Sequence, residues 1–289
     1  MIKLIATDLD GTLFYPKKRI KGVCSSNVKF LANFASKGGE IFLSSGRSTF
    51  VIDRLERIFK SKVTFLGCNG AYIIKDNKTI NSHPIVNDKA LNVFSKTHDH
   101  IRAVNWLLFS DSKIMYTYPD DVLLSYKPIF KFVNFLRGFY ADPMYLDKNK
   151  FFDFLCNGKI YKVMIMMGLS KSVSKLTYET SLYFKNNFSK DFEIAWSDNV
   201  IELTAPGVDK GRGLLKYCQD NNIKNDEVIV IGDSGNDLSM FKYFRHSFIM
   251  ANAHKSLLKS ANHIVNRVSD LQEYIENEDL LKDDKIINT

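Results

Sequence analysis

The chain has 289 residues, 45% of them apolar, which is enough for one large or two medium domains with a sizeable core. Its 40 basic and 32 acidic residues leave a net charge of +8, an excess that suits anionic ligands, but no basic block points to nucleic acid. Cys24, Cys68, Cys156 and Cys218 lack any CxxC spacing, no apolar run is long enough for a membrane span, and acidic residues interrupt the N-terminal apolar run at once, so a reduced, cytoplasmic protein without a membrane partner is expected.

The first apolar run, Ile2 to Ala6, has the length and β-branched content of a buried strand, and it ends in Asp8, Leu9, Asp10, Gly11 and Thr12. Two carboxylates this close oppose each other's ionisation unless a cation lies between them. A polar, basic connection follows. Ser25 or Ser26 then suits the N-cap of a helix carrying Val28, Leu31, Phe34 and Ala35, which Gly38 and Gly39 end. Ile41 to Leu43 reads as a second strand and runs into Ser44, Ser45, Gly46 and Arg47. A helix over about Thr49 to Phe59 and a strand from Val63 to Leu66, followed by Asn69-Gly70, continue the alternation. Apolar strands alternating with helices are the signature of a doubly wound parallel sheet, with ligands bound at the strand C-termini.

Near residue 72 the rhythm changes. Tyr72 to Ile80 reads as a hairpin around Asp76-Asn77, and His83-Pro84 marks a break. Leu91 to His98 reads as a helix, Trp106 to Phe109 with Ile114 to Tyr118 as a hairpin, and the aromatic stretch Leu123 to Phe139 as a helix. Tyr161 to Met167 reads as a strand and Val173 to Phe184 as a helix. This segment is expected to be an inserted α/β domain over 83–189, with the core formed by 1–82 and 190–289. In the second part of the core, Phe192 to Ala195 and Val200 to Leu203 read as short strands, and a helix starts near Lys210. Val228 to Ile231 is the most apolar strand, and it ends in Gly232, Asp233, Ser234, Gly235, Asn236 and Asp237. Phe248 to Met250 and His263 to Val265 read as further strands, with a helix over Leu257-Leu258 between them. The tail from Asn277 is polar.

The strand ends carry complementary chemistry. Carboxylates from two strands, Asp8 and Asp10 with Asp233 and Asp237, suit a hard cation such as Mg²⁺. A hydroxyl at Ser45, a helix-start ammonium at Lys210 and exposed backbone N–H groups suit phosphate oxygens. A carboxylate beside a metal and a phosphate can act as a nucleophile and form an acyl phosphate.

DLDGT, SSGR, the lysine of GVDKG and GDSGND, in this order, resemble the four motifs of the haloacid dehalogenase superfamily of phosphatases. With NGA at 69–71 and ANA at 251–253, the resemblance is to the Cof-type, sugar-phosphatase-like branch, whose large α/β cap the insert would be. The resemblance implies a Rossmann-like core and an Mg²⁺-dependent phosphatase acting on a small phosphorylated metabolite through an aspartyl phosphate. It makes Asp8 the nucleophile and a metal ligand, and Asp10 the general acid and base, touching the metal through its backbone carbonyl. Ser45, Gly46, Lys210 and Asn236 would bind the phosphoryl group. Asp233 would ligate Mg²⁺ directly, and Asp237 would act through water or from behind the direct ligands.

Other residues carry less. Arg47 suits a structural ion pair or a substrate contact equally, Asp209 and Glu202 suit structural roles, and the six histidines show no ligand spacing. Tyr116, Tyr118, Lys162 and Met164 are candidates to face substrate from the insert. Val268-Ser269-Asp270-Leu271 stands where this branch often has a glycine, a departure in loop shape rather than chemistry. A sugar phosphomutase is the rival enzyme, because it shares DxDGT and a large cap. A binding or regulatory protein on the same scaffold is the rival of another class. A dehalogenase fits less well, since its chemistry needs neither the second Asp nor the metal acids.

Overall fold

The computed structural model describes residues 1–16, 22–47, 49–111, 115–119, 144–168, 170–197 and 199–287. The expected helix over Leu123 to Phe139 lies outside them. The chain divides into two compact units, one made of Met1–Arg47, Val51–Asn81 and Asp209–Thr289, the other chiefly of Ser82–Val208.

The first unit is built on an eight-stranded sheet in the order β14-β13-β12-β1-β2-β3-β4-β5. β1 (Leu4–Asp8) lies between β2 (Glu40–Ser44) and β12 (Val228–Gly232), parallel to both. All five residues of β1 and of β12 are buried, as both faces of a parallel sheet require. β3 (Thr64–Gly67) continues the parallel set on one side, and β13 (His246–Met250) and β14 (His263–Val265) continue it on the other. β4 (Tyr72–Lys75) turns back antiparallel on β3, and β5 (Lys78–Ser82) closes that edge. The α-helices of this unit are α1 (Ser25–Ser36), α2 (Ile52–Phe59), α6 (Lys210–Asp220), α7 (Leu238–Tyr243) and α8 (Leu271–Glu276). Leu4, Ala6, Phe42, Val228 and Val230 meet Leu214, Met240, Phe241 and Phe244 in one apolar cluster. Fully burying each large side chain contributes about 1.5–3 kcal/mol.

Register sets what the strand ends hold. Asp8 lies opposite Ser44, and Thr7 lies opposite Ile231. The residues that follow β1, β2 and β12 therefore leave the sheet along one edge. The chain reverses its direction of travel across the sheet between β1 and β12, the position where open α/β sheets form their ligand crevice.

The second unit has a six-stranded sheet, β10-β11-β9-β6-β7-β8. β6 (Asn105–Phe109), β7 (Met115–Pro119) and β9 (Lys162–Met166) pair antiparallel, whereas β8 (Met144–Leu146) runs parallel to β7. Here the expected boundary is corrected. β10 (Glu193–Ser197) and β11 (Val200–Thr204) do not resume the first sheet at residue 190. They pair antiparallel with each other and with β9, and the second unit extends to Val208. Ile201 and Leu203 are fully buried while Val200 and Glu202 are half-buried, the alternation of an antiparallel strand rather than the continuous run of a parallel one.

Helices α3 (Asn87–Thr97), α4 (Lys148–Asn157) and α5 (Ser174–Phe188) cover one face of this sheet. Phe94 packs edge-on against Trp106 and Tyr118, Phe154 stacks on Tyr116 at 4.0 Å, and Tyr178 meets Trp196. Tyr116 and Tyr118 thus belong to the helix-covered face. Lys162 and Met164 take the opposite face, because Lys162 pairs with Phe109, which pairs with Met115 rather than Tyr116. The four candidates cannot all point the same way.

Smaller differences have local causes. Cys24, in extended geometry, occupies the N-cap of α1, so Ser25 is its first helical residue. The expected helix at Leu257-Leu258 is a single 3₁₀ turn, Lys255–Leu257. The polar tail is tied down. Asp284 accepts from His246 Nδ1 at 2.8 Å and His263 Nε2 at 2.6 Å, and these two hydrogen bonds hold its carboxyl below the usual range against the effect of burial. No helix among the described residues is long and apolar enough to cross a membrane.

Candidate active site

Asp8 is the last residue of β1 and is buried. Its Oδ1 accepts from Lys210 Nζ at 2.7 Å, while its Oδ2 is buried with no hydrogen-bond partner. Lys210 is the first residue of α6, whose N-cap Asp209 accepts from Arg212 N. The ammonium is fully buried and also donates to Asp237 Oδ1 at 2.7 Å. Burial alone would lower its pKa, but Asp237 and Asp8 outweigh that and raise it. It is therefore charged, and it holds two acids from opposite sides.

Asp237 is equally buried, and its second oxygen is occupied. Oδ2 accepts from the N–H groups of Asp233 at 2.9 Å and Ser234 at 3.0 Å, and from Ser234 Oγ at 3.2 Å. Asp237 thus anchors the loop after β12, and both its oxygens are already bonded. Asp233 Oδ1 accepts from Thr12 Oγ1 at 2.7 Å. Gly11, at φ 84°, lets the backbone approach: a Cβ there would lie 2.2 Å from Asp233 Oδ2.

Asp8, Asp233 and Asp237 bring one oxygen each within 4.8 Å of one another. Three carboxylates against one ammonium leave an uncompensated negative site when all are ionised. Burial pushes the Asp8 carboxyl well above the usual range, and Asp237 and Asp233 add to this against the pull of Lys210. Burial likewise pushes Asp233 up to about 6, with Thr12 opposing and Asp237 adding. A divalent cation fits this set. The unpartnered Asp8 Oδ2 and the half-buried Asp233 carboxylate supply hard oxygen donors.

Of the four acids expected to hold a metal, the Asp10 carboxylate stands apart from this cluster. It is half exposed, and Arg47 grips it with a two-pronged pair, Nε to Oδ2 at 2.5 Å and Nη2 to Oδ1 at 2.7 Å. Arg47 also returns to the second strand-end cluster, since its N–H donates to Ser45 Oγ at 3.1 Å. Ser45 is buried, and with that acceptor position used its hydroxyl proton is left to donate.

From Ser45 the bonds continue round the site. Asn69 N donates to Ser45 O at 3.0 Å, and Asn236 Nδ2 donates to Asn69 Oδ1 at 3.1 Å. Ser234 Oγ bridges Asn236 Oδ1 and Asp237 Oδ2, which returns the path to Lys210 and Asp8. Asn69 also lies close to Gly46, where a Cβ would meet its Oδ1 at 3.0 Å. Asn252 Nδ2 donates to Gly11 O at 3.0 Å. The sequence marked NGA and ANA without giving Asn69 or Asn252 a task, and it gave Thr12 none. A left-handed asparagine before a glycine, at φ 60°, was the available signal for Asn69.

The arrangement offers a buried carboxylate with one free oxygen, an acidic cluster that a cation fits, a buried ammonium, a hydroxyl donor and an exposed second acid. Comparison with known proteins gives this chemistry a context. A family model described as haloacid dehalogenase-like hydrolase matches residues 5–271. The chain is 21% identical over 269 residues to the pyridoxal phosphate phosphatase YbhA of Escherichia coli, covering 91% of this chain and 93% of that protein. It is 22% identical over 267 residues to the 5-amino-6-(5-phospho-D-ribitylamino)uracil phosphatase YbjI of the same organism, covering 91% and 90%. A crystal structure of a haloacid dehalogenase-like hydrolase from Bacteroides thetaiotaomicron shares the fold, with a TM-score of 0.76, 22% identity and coverage of 95% of this chain and 100% of that one.

Proposed function

The chain belongs to the haloacid dehalogenase-like hydrolases, and from that premise we propose that it is an Mg²⁺-dependent phosphatase of small phosphorylated metabolites, working through an aspartyl phosphate on Asp8. The observation that carries this reading is the division of the Asp8 carboxylate: one oxygen is fixed by Lys210 and the other is left without a partner. A carboxylate held in this way is aimed rather than neutralised, as a nucleophile requires.

In the first step an Asp8 oxygen bonds to phosphorus as the bond to the leaving oxygen breaks, and Asp10 gives that oxygen its proton. In the second step Asp10 takes a proton from water, whose oxygen displaces Asp8 from phosphorus. Ser45 and Lys210 hold phosphoryl oxygens and bear the developing charge, and Asn236 fixes the adjoining loop. Asp8 and Asp233 would hold Mg²⁺, with Asp237 ordering the loop behind them through its bonds to Asp233 N and Ser234 N. When bound, the cation neutralises phosphate charge. The named substrates of YbhA and YbjI support a small phosphorylated metabolite. The second unit would set selectivity among such metabolites.

The test is release of inorganic phosphate from p-nitrophenyl phosphate and from a panel of phosphorylated metabolites, with Mg²⁺ and with chelator. Turnover that needs Mg²⁺ and vanishes in Asp8→Asn is expected. Turnover that persists in either case would falsify the reading.

A further inference from the structure

Asp8, Asp233 and Asp237 are each fixed by groups inside the site, namely Lys210, Thr12 and loop N–H donors. Among the described residues, the Asp10 carboxylate is fixed by Arg47 alone. The two partners are unequal. Arg47 is 17% exposed in its side chain against 50% for Asp10. Its backbone is clamped at both ends, with N–H donating to Ser45 Oγ and C=O accepting from Cys68 N at 3.2 Å. The guanidinium is therefore the more buried member of the pair, on a backbone bonded at both ends, and the carboxylate the more exposed one.

We propose that Arg47 is the positioning residue for Asp10 in the proton-transfer step, and not a ligand of the substrate phosphate. This rests on the phosphatase reading above. As the bond from phosphorus to the leaving oxygen breaks, the proton passes from an Asp10 oxygen to that leaving oxygen, and Asp10 becomes a carboxylate. A guanidinium fork already standing at both carboxylate oxygens stabilises the charge that this transfer creates, without reorganising at that moment. Before the transfer, one prong suffices to hold the carboxylic acid while its other oxygen carries the proton. A lysine offers a point charge and cannot hold both oxygens in one plane.

Leaving groups separate this role from phosphate binding. A nitrophenolate departs without a proton, whereas an alkoxide does not. In Arg47→Ala, kcat for an alkyl phosphate should fall about 100-fold or more, the lower end of what general acid catalysis supplies. For p-nitrophenyl phosphate kcat should fall less than about tenfold, and KM for both substrates should hold within about threefold, because a positioning residue adds nothing to ground-state binding. Adding Arg47→Ala to Asp10→Asn should cost little more than Asp10→Asn alone, since the two act as one unit. Arg47→Lys, which keeps the charge and most of the stem, serves if the alanine variant folds poorly, and it should show the same leaving-group bias in weaker form. Equal losses on both substrates with a raised KM, or additive effects in the double variant, overturn the inference and leave the phosphatase reading standing. A wild-type protein idle on both substrates overturns the reading and the inference together.

Discussion

The two halves of the site are held by opposite means. The inner half, Asp8 with Lys210 and Asp237, is buried and cross-linked through one shared ammonium, with the half-buried Asp233 held beside it by Thr12. The outer half, Asp10 with Arg47, is one exposed carboxylate on one well-anchored guanidinium. Removing a partner from a buried charge group leaves an uncompensated charge in a low dielectric, whereas an exposed pair is rescued by water. The inner half should therefore couple activity to folding and metal binding, and the outer half should affect turnover with little effect on stability.

The largest break should come from Asp8→Asn, which keeps the shape and removes the proposed nucleophile. Phosphatase turnover should drop by on the order of 10⁴ or more, read by phosphate release. Lys210→Met should come next, and it alone should strike stability as hard as activity. Asp8 and Asp237 lose their shared cation, so urea denaturation should show a loss of about 3–5 kcal/mol. The outer pair supplies the contrast, since Arg47→Ala leaves a half-exposed carboxylate that water can solvate and should cost less stability than Lys210→Met in the same assay.

pH sharpens the comparison. Asp233, raised to about 6, contributes stability that is present below the ordinary carboxylate range and is lost as pH rises through about 6. Metal-free protein should thus become less stable between about pH 4 and 6 through this residue. On the proposed metal role, Mg²⁺ prefers the ionised carboxylate, so the rise in Tm on adding Mg²⁺ should grow over the same interval. Asp233→Asn should flatten that growth, and a metal effect independent of pH would contradict the role given to Asp233. The smallest effect is expected from Thr12→Val, which removes the hydroxyl that holds Asp233 Oδ1. Metal affinity followed by the same Tm shift should fall about 10–100-fold while the fold is kept.

The sequence was most legible where burial alone decides structure. The runs Leu4 to Ala6, Ile41 to Leu43 and Val228 to Ile231 are apolar because both faces of the parallel sheet are covered, and the chemistry at their ends could be read directly. It was least legible at β10 and β11. Their shortness and apolar content fit either sheet, and only the pairing of Val200 with Met166 and Leu203 with Val163 assigns them to the second unit. Tyr116 and Tyr118 were misplaced for a related reason: period-two alternation separates two faces but does not say which one the helices cover.

By itself, then, the sequence determined the inventory: four acids, a serine, an arginine and a lysine at strand ends and one helix start, in an order resembling one family. Tertiary structure decided the partners. Lys210 reaches Asp8 across 202 positions of chain and shares itself with Asp237, while Arg47 meets Asp10 across 37. Local pattern encodes how deeply a residue is buried, because burial repeats with the period of its own strand or helix. Which charge faces which depends on strand register and loop geometry, and no local period carries that information.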